Sequence, residues 1–470
     1  MARSTVDELR EDLDVVVIGA GPVGENVAAR AVRGGLRTAL VEHERLGGEC
    51  SYWACVPSKA LLRPGNAWAA ARRVPGVPSD GRIDPNAVFA WRDKRVSQWD
   101  DGGQVDWAEG AGITVVRGRA RLSGDREVTV DDRLVLRAAH AVVVCTGSVP
   151  VVPDVEGLAD VPVWTSRDAT SASSVPESLA VLGGGVVGVE MAQAWARLGA
   201  SVDVVARGDR VLPRMPAFAG EAVAEALRAD GVRVRLGAEV RRVRREGERV
   251  RLDLADGDSI TAERLLVATG RRPATDDLGL DTVGLTPGRP LAVDDTGLVS
   301  GVAGEWLYAA GDVTGRALLT HQGKYAARIV GDVLAARSRG EQVRAEPWSR
   351  YAATADHHAV TQVVFTDPEV ASVGAVEATE PSQRVLDLDI DVAGAALHAD
   401  GYAGRARLVV DTEREVVLGA TFVGQDVAEL LHAATVAVVG EVPLRRLWHA
   451  VPAFPTVSEV WLRWLEEYGL

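Results

Sequence analysis

The first clear pattern along the chain is an apolar run, followed by a glycine-rich turn and then by an amphipathic stretch. Residues 14–18, "DVVVI", are almost wholly apolar, which is typical of a strand buried within a parallel sheet. "GAGPVG" follows at once, "ENVAARAVRGG" has a helical pattern, and "RTALVE" predicts the next strand. This order predicts a strand–turn–helix–strand unit that binds a dinucleotide.

Gly19, Gly21 and Gly24 have the G-x-G-x-x-G spacing of such a turn. The first glycine permits the tight turn, the second lets the backbone approach a pyrophosphate, and the third lets helix and strand pack closely. The start of the helix offers N–H groups to the phosphates. Glu42 lies about twenty residues further on, where a carboxylate can accept hydrogen bonds from ribose hydroxyls. We expect these four residues to bind a cofactor.

The same pattern occurs a second time. "LAVL" at residues 179–182 predicts a strand, "GGGVVGVEMAQAWARLGA" predicts a turn and a helix, and "SVDVVA" predicts the next strand. Gly183, Gly185 and Gly188 repeat the spacing and the expected roles of the first three glycines. Two dinucleotide sites in one chain indicate an electron relay, in which one site holds a flavin permanently and the other binds a visiting nicotinamide.

The second unit lacks an acid at the end of its second strand. Ala206 takes the acidic position and Arg207 follows it, with Arg210 and Arg214 close behind. An arginine suits a 2′-phosphate, whereas a carboxylate would repel it. The sequence therefore favours NADP(H) over NAD(H). The alternative is that these arginines are solvated surface charges in an arginine-rich chain.

Three further turns come directly after apolar runs. "VVVCTGSVP" places Thr146 and Gly147 after one predicted strand, and "LLVATGRRP" places Gly270 after another. We interpret each as the return of the chain at the end of a dinucleotide domain. "LYAAGDV" places Asp312 where its carboxylate can contact the ribityl hydroxyls of a flavin.

Length, charge and cysteine content limit the class of protein. The 470 residues predict roughly two to four domains, and the net charge of −14 argues against nucleic acid or an anionic membrane as a partner. No apolar stretch reaches the roughly 18 residues that a membrane span needs, and the acidic N-terminus lacks the apolar run of a signal peptide. Three cysteines do not make a secreted disulfide scaffold, so we expect a cytoplasmic protein.

"GGECSYWACVPSKALL" holds two of the three cysteines, Cys50 and Cys55. The C-x4-C spacing, without a second Cys or His pair, predicts no metal site. A helix start near Cys55, with Lys59 in the next turn, would favour a thiolate and therefore a redox-active pair. The alternative is a pair of buried, inert cysteines. Cys145, at the end of a predicted strand, is expected to be a core residue.

Eight motifs, in order, resemble those of the pyridine nucleotide-disulfide oxidoreductases: "GAGPVG", "GGECSYWACVPSK", "CTG", "GGGVVGVE", "ATGRRP", "YAAGD", "FTDPEVASVG" and "PTVSE". The resemblance implies an α/β fold with two Rossmann-like dinucleotide-binding domains, a split FAD domain with an inserted NAD(P) domain, and a C-terminal α+β dimerisation domain. The implied boundaries are 1–150 and 274–349 for the two parts of the FAD domain, 151–273 for the NAD(P) domain, and 350–470 for the interface domain.

The resemblance also implies an enzyme mechanism and a homodimer. Electrons would pass from NAD(P)H to FAD, then to a Cys50–Cys55 disulfide, and on to a small-molecule acceptor. Cys55 would lie against the flavin, and Cys50 would be the outer thiol that meets the acceptor. Each active site would borrow C-terminal residues from the partner subunit.

The resemblance assigns further contacts residue by residue. Lys59 would pair with Glu190 beneath the flavin. Gly270, Arg271 and Asp312 would contact nucleotide and flavin, and Gly48 would belong to the cofactor site.

The chain departs from this family at its C-terminal motif. The disulfide-reducing members have a histidine that acts as acid and base, oriented by a glutamate, and the matching residues here are Phe454 and Glu459. Phenylalanine cannot move a proton, and the loss of such a group slows the dependent step by about 10²–10⁴. His449 is an alternative base, although it could equally be a surface residue.

"SYWA" between the cysteines is a second departure, and it could be packing or a platform for a flat aromatic acceptor. Four functions therefore remain open: an enzyme whose cysteine pair cycles, a quinone or diaphorase-type reductase that works at the flavin, a disulfide reductase with a relocated base such as His449, and an FAD-binding redox sensor. "VSEVWLRWLEEYG" predicts an amphipathic C-terminal helix at a dimer interface.

Overall fold

The computed structural model of the protein describes residues 13–78 and 80–470. The acidic N-terminal segment, in which we expect no signal peptide, lies outside the described residues. No helix within these two ranges is both long and apolar enough to cross a membrane.

Helices occur along the whole of the described chain. In the described part, the helices are α1 (Pro22–Arg33), α2 (Gly48–Tyr52), α3 (Cys55–Arg72), α4 (Pro85–Arg95), α5 (Gly102–Gly110), α6 (Ser166–Ser171), α7 (Val186–Arg197), α8 (Ala217–Ala229), α9 (Thr320–Ser338), α10 (Ala355–His358), α11 (Ala393–His398), α12 (Leu431–Val439), α13 (Leu444–Leu447) and α14 (Val460–Tyr468).

Most strands of the described part are short. They are β1 (Leu13–Ile18), β2 (Thr38–Glu42), β3 (Thr114–Arg117), β4 (Ala120–Gly124), β5 (Glu127–Val130), β6 (Leu134–Val144), β7 (Ser148–Pro150), β8 (Ser178–Leu182), β9 (Ser201–Val205), β10 (Arg233–Arg235), β11 (Val240–Glu246), β12 (Arg249–Leu254), β13 (Ser259–Ala262), β14 (Arg264–Val267), β15 (Arg271–Pro273), β16 (Leu307–Ala309), β17 (Thr361–Val364), β18 (Glu369–Gly374), β19 (Gln383–Asp389), β20 (Arg405–Asp411) and β21 (Val416–Gly424).

The chain divides into two compact units, each built from separate segments. The first comprises the chain up to Val56, Val96–Val149 and Arg271–His357; the second comprises Pro57–Arg95, Pro150–Gly270 and His358–Leu470. The four predicted domain boundaries stay a prediction.

A mostly parallel sheet forms the centre of the first unit. Its strands lie in the order β3-β2-β1-β6-β5-β4, and β16 pairs with β6. The central strand β1 runs parallel to both β2 and β6. Val15 and Val17 belong to one core cluster, whereas Val16 and Ile18 belong to another. The sheet therefore has an apolar core on each face, as its continuous apolar sequence predicts.

Helices α1 and α9 pack closely against each other in the first unit. A Cβ built on Gly331 of α9 would lie 2.5 Å from Cβ of Arg30 in α1. Near the start of both helices, a Cβ on Gly323 would lie 2.6 Å from Cγ2 of Val23. These two glycines let α1 and α9 lie side by side, and the close approach of Gly323 to Val23 brings together the helix starts near the site.

The second unit contains a parallel sheet of order β10-β9-β8-β14, with α7 following β8. An antiparallel sheet, β11-β12-β13, belongs to the same unit. The C-terminal part forms a five-stranded sheet of order β17-β18-β21-β20-β19, in which neighbours are antiparallel. Helix α14 packs beside it, with the ring of Trp464 5.3 Å from that of Phe422. Two parallel sheets with dinucleotide-type turns, and a C-terminal α+β part, confirm the predicted fold class.

Candidate active site

The first glycine turn connects β1 to α1. The surroundings of each of its three glycines explain in a different way why a residue without a side chain stands there. Gly19 has φ +97°, and a Cβ there would lie 2.6 Å from the carbonyl oxygen of Cys145. A Cβ on Gly24 would lie 1.8 Å from the oxygen of Gly19. A Cβ on Gly21 would meet nothing within 4 Å. The space beside Gly21 is thus open to a pyrophosphate, and the other two glycines hold the turn together.

Glu42 is buried at the end of β2, with its carboxylate turned toward the glycine turn. One oxygen accepts a hydrogen bond of 2.9 Å from the N–H of Ala20, and the other accepts one of 2.8 Å from Glu44. Burial alone would raise the pKa of Glu42, but bonds from His43, Ala20 and Glu44 outweigh it and hold the pKa below its usual range. An ionised carboxylate keeps lone pairs for further donors, which fits ribose hydroxyls.

The second glycine turn connects β8 to α7, and its three glycines have the same kinds of surroundings as those of the first turn. Gly183 has φ +122°, and a Cβ there would lie 2.3 Å from the oxygen of Ala268. A Cβ on Gly188 would lie 2.1 Å from the oxygen of Gly183. Gly185, like Gly21, would meet nothing within 4 Å. The second unit therefore has its own cradle for a pyrophosphate.

Arg207 is exposed directly after the buried Ala206 that ends the second strand of this cradle. Its guanidinium makes no hydrogen bond or ion pair with any residue in the described ranges. Arg210 donates to the carbonyl of Pro213, and Arg214 is exposed. The guanidinium of Arg207 is consequently available to an anionic ligand.

Cys50 lies in α2, and Cys55 is the first residue of α3, both as thiols. The Sγ of Cys55 lies 3.3 Å from Oγ1 of Thr320, which is at the start of α9. Cys50 hydrogen-bonds to Cys55, and this bond, together with burial, raises the pKa of Cys50. Thr320 and Lys324 act on it in the opposite direction. The structure thus brings both cysteines together beside the first turn of α9.

The tyrosine and tryptophan between the cysteines are buried. The hydroxyl of Tyr52 donates to the carbonyl oxygen of Asp100 and lies 2.7 Å from Oε1 of Gln104. The guanidinium of Arg45 lies over the rings of both Tyr52 and Trp53. In this structure, Tyr52 and Trp53 of "SYWA" are packing residues, and they do not form an exposed platform for a flat aromatic acceptor.

Lys59 and Glu190 form an ion pair in the second unit. Nζ of Lys59 donates to Oε2 of Glu190 over 2.8 Å, and the other carboxylate oxygen accepts from the N–H of Phe365. The ammonium group also lies 4.8 Å from the centre of the Phe365 ring. The position of this pair beneath a flavin stays a prediction.

Asp312 begins a short turn after β16, and Ser148 connects it to Arg271. The hydroxyl of Ser148 donates to Oδ2 of Asp312 over 2.6 Å. The hydroxyl oxygen of Ser148 in turn accepts a hydrogen bond from Nε of Arg271 over 2.8 Å. Burial raises the pKa of Asp312. A buried carboxyl group with few protein donors is suited to the hydroxyls of a ribityl chain.

The remaining predicted cofactor residues lie in tight turns. The hydroxyl of Thr146 donates to the oxygen of Ala274, which fixes the turn after β6. Gly147 has φ +73° and Gly270 has φ +142°, and a Cβ on either would meet nothing within 4 Å. A Cβ on Gly48 would lie 2.9 Å from Cα of Gly21, so α2 starts against the first glycine turn.

The C-terminal motif belongs to the second unit. The ring of Phe454 is 76% exposed, and His449 is exposed as well. Oε2 of Glu459 is buried and has no hydrogen-bond partner among the described residues. That Phe454 takes the place of the family's histidine, and that Glu459 would orient such a histidine, stays a prediction.

Two residues beside the cysteine pair were missed in the sequence: Thr320 and Lys324. A signal was present for Lys324, since the chain has only three lysines. Thr320 has no pattern of its own, because its role depends on the packing of α9 against the cysteines. Groups of acidic, histidine and cysteine side chains that could hold a metal are absent from the described ranges.

The residues of the first unit fit an FAD. This unit has an open cradle at Gly21, an ionised acceptor at Glu42 and a carboxyl group at Asp312 whose pKa burial raises. These three features suit the pyrophosphate, the ribose and the ribityl chain of FAD, respectively. When bound, the flavin would accept a hydride from a nicotinamide and pass on two electrons.

Comparison with known proteins extends over nearly the whole chain. The family model described as pyridine nucleotide-disulphide oxidoreductase matches residues 13–338, and the model of its dimerisation domain matches residues 360–464. Dihydrolipoyl dehydrogenase 2 of Haloarcula marismortui is 31% identical, over 97% of this chain and 96% of its own. Mercuric reductase of Shigella flexneri is 34% identical, over 95% of this chain and 79% of its own.

Among solved structures, the HOCl-induced flavoprotein disulfide reductase RclA from Escherichia coli is similar, with a TM-score of 0.82 and 25% identity over 96% of this chain and 99% of that chain. The matched family models, the relatives and this structural similarity indicate the same family as the two glycine turns and the cysteine pair do. The chain therefore belongs to the pyridine nucleotide-disulphide oxidoreductase family and is an NAD(P)H-dependent FAD flavoprotein oxidoreductase.

Proposed function

We propose that this enzyme transfers electrons from NADPH through its flavin to the Cys50–Cys55 pair and then to a small-molecule acceptor. The observation that carries the proposal is the hydrogen-bonded pair of cysteines beside Thr320, with Cys55 at the start of α3. A helix start favours a thiolate at Cys55, which is the state that the inner cysteine needs.

The pair would cycle between a disulfide and two thiols. Reduction breaks the S–S bond, takes two electrons from the reduced flavin and takes up one proton if Cys55 remains a thiolate. The hydroxyl of Thr320, 3.3 Å from Cys55, can donate a hydrogen bond to that thiolate. Oxidation by the acceptor restores the disulfide and returns the proton.

NADPH is the proposed electron donor. Support comes from Arg207, whose exposed guanidinium has no partner among the described residues and follows the strand end where NAD-binding proteins have an acid. The relatives named dihydrolipoyl dehydrogenase leave this preference open.

A homodimer is the proposed assembly. The dimerisation-domain match covers residues 360–464, and several large apolar side chains of this part are exposed. They are Val436, Val439, Trp448, Val451 and Phe454. An apolar surface of this kind is typical of an obligate interface. On the family pattern, Phe454 of each subunit would face the cysteine pair of the partner.

A quinone or diaphorase-type reductase is the second candidate, and Phe454 is the observation that favours it. An exposed aromatic ring in place of an acid–base group suits a flat acceptor that receives electrons directly from the flavin. In that case the cysteines would not cycle.

An anaerobic reductive titration separates the two candidates. Uptake of about four electrons per FAD, with a long-wavelength thiolate–flavin band midway, is expected if the pair cycles. Uptake of about two electrons without that band would overturn the proposal in favour of the flavin-only reductase. The Cys50→Ser variant is the matched control, because it should take up only two electrons in either case.

A further inference from the structure

Glu25 is a partly buried acid that the proposed function does not use. It lies in the first turn of α1, directly after the glycine turn. Its Oε1 is buried and makes no hydrogen bond with any described residue. Burial raises the pKa of Glu25 to about 7, and Lys324 opposes this rise. Such a carboxyl group can gain or lose a proton near neutral pH.

Three helix starts come together around this acid. Gly323 of α9 lies so close to α1 that a Cβ on it would be 2.6 Å from Val23. Gly48 of α2 lies so close that its Cβ would be 2.9 Å from Cα of Gly21. The starts of α1, α2 and α9 therefore meet, and each helix has a chemically active side chain within its first five residues: Glu25, Cys50 and Lys324.

Lys324 connects the acid to the thiol. Its positive charge acts on Glu25 and on Cys50, and it lowers the pKa of each. Thr320, one turn earlier in α9, contacts both cysteines. Thus α9 presents one cation to two groups that can each become an anion.

Among the described residues, the phenol of Tyr52 in α2 is a further ionisable group, and the charge of Glu25 acts on it. Burial raises the pKa of Tyr52 to about 12, and Asp101 and Glu25 add to this rise against Arg45. Tyr52 therefore stays neutral at physiological pH and cannot exchange a proton with Glu25. Around Cys50, the groups are Cys55, Thr320 and Lys324.

Charge balance couples the two acids. A partly buried cluster in which two acids share one cation, here Lys324, tolerates one anion far better than two. When Glu25 is ionised, it competes for Lys324 and Cys50 keeps its proton. When Glu25 is protonated, Lys324 is left to stabilise the Cys50 thiolate. The two groups must therefore titrate as a pair.

We propose that Glu25, acting through Lys324, is the positioning residue that controls the protonation of Cys50 in the absence of the family's histidine. The S–H bond of Cys50 breaks and its electron pair stays on sulfur. An N–H bond of Lys324 breaks as its proton forms an O–H bond with Glu25, and the nitrogen lone pair freed in this way takes the proton from Cys50. Lys324 remains an ammonium ion, and the net charge is unchanged. The proposal rests on the proposed role of Cys50 as the outer thiol.

The test is the pH dependence of Cys50 alkylation in the FAD-loaded protein, reduced under anaerobic conditions and freed of reductant. Iodoacetamide is the probe, and the modified Cys50 peptide is measured by mass spectrometry. Above about pH 7, E25Q should react about tenfold faster than the unmodified enzyme, because one pKa unit changes the thiolate fraction tenfold. Below about pH 6 the two should react alike, since Glu25 is then protonated in the unmodified enzyme and residue 25 is uncharged in both proteins.

K324Q is an independent variant that should change the alkylation rate of Cys50 in the opposite direction. It is needed if E25Q fails to fold or to hold flavin. Its Cys50 should react about tenfold more slowly near pH 7. E109Q changes a charge on an exposed part of the same unit and should match the unmodified enzyme. Profiles of E25Q or K324Q that superimpose on that of the unmodified enzyme would overturn the coupling.

The reductive titration separates this inference from the proposed function. If the variants shift the alkylation profiles but the enzyme takes up only two electrons, Glu25 and Cys50 are coupled through Lys324 and the Cys50–Cys55 pair does not cycle. Unshifted profiles with uptake of four electrons would reject the coupling and sustain the cycling pair.

Discussion

Nζ of Lys59 lies 2.8 Å from Oε2 of Glu190, in an ion pair whose two halves differ in exposure. The lysine side chain is 35% exposed, whereas that of the glutamate is only 3% exposed. Glu190 is therefore an acid that the fold buries and that depends on one lysine and one backbone N–H for its charge.

Removal of this lysine should destabilise the second unit. In the Lys59→Met variant the Glu190 carboxylate would be buried without a cation, and breaking such a pair costs about 3 kcal/mol. The free energy of unfolding in guanidinium chloride should fall by that amount. Lys94→Met, at an exposed position of the same unit, should leave stability unchanged. Equal stability of the two variants would show that the ion pair contributes nothing.

Replacement of Arg207 should change the choice of nicotinamide. In Arg207→Ala, kcat/KM for NADPH should fall by at least about tenfold, because a hydrogen bond to a charged group is worth about 1.5–3 kcal/mol. The value for NADH should not change. Steady-state kinetics with both donors measure this effect, and Arg228→Ala, on an exposed part of α8, is the control. A parallel loss with both donors would contradict a 2′-phosphate contact.

Introducing a histidine at position 454 should supply a base. Glu459 already has a buried oxygen without a partner in the described residues, and a histidine in Phe454→His could donate to it. The rate with an aromatic disulfide that releases a coloured thiolate should rise by up to about 10².

Two controls make this result specific to the base. Phe454→Leu should show no increase, and Glu459→Gln added to Phe454→His should remove most of it. If the histidine variant is no faster than the leucine variant, proton transfer at position 454 does not limit the reaction.

Glu369 should make the stability of the second unit depend on pH. Burial, aided by Asp426 and Asp367, raises the pKa of Glu369 to about 7, above the roughly 4.3 of an unfolded chain. A raised folded-state pKa favours the protonated form, so the stabilisation is present below about pH 4 and is lost as the pH rises through 7.

The Glu369→Gln variant should lack this loss, because its amide oxygen can still accept the hydrogen bond from Ala428. At pH 8 it should be about 1–2 kcal/mol more stable than the unmodified enzyme, with no such gain at pH 4. Guanidinium unfolding at both pH values is the measurement. Glu413→Gln, which changes an exposed acid, should show no pH-dependent gain, and a similar gain there would refute the assignment to Glu369.

Local sequence determined the two dinucleotide turns. Gly19 and Gly183 adopt positive φ, and Gly24 and Gly188 touch the preceding turn, so each glycine has a steric reason that depends only on near neighbours and one adjacent strand. The apolar runs before them could be recognised as buried strands for the same reason, since a parallel sheet buries both faces of each strand.

Tertiary structure alone decided what surrounds the cysteines. Glu25, Cys50 and Lys324 are far apart in the chain, and only the close packing of α1, α2 and α9 brings their first turns together. The raised pKa of Glu25 follows from burial, which no local pattern encodes. The sequence alone also could not decide whether "SYWA" packs or binds an acceptor. Tyr52 is a packing residue because it contacts Asp100 and Gln104, which are about fifty residues away in the chain. The sequence by itself therefore determined the cofactor cradles, whereas long-range packing decided the electrostatic environment of the thiols.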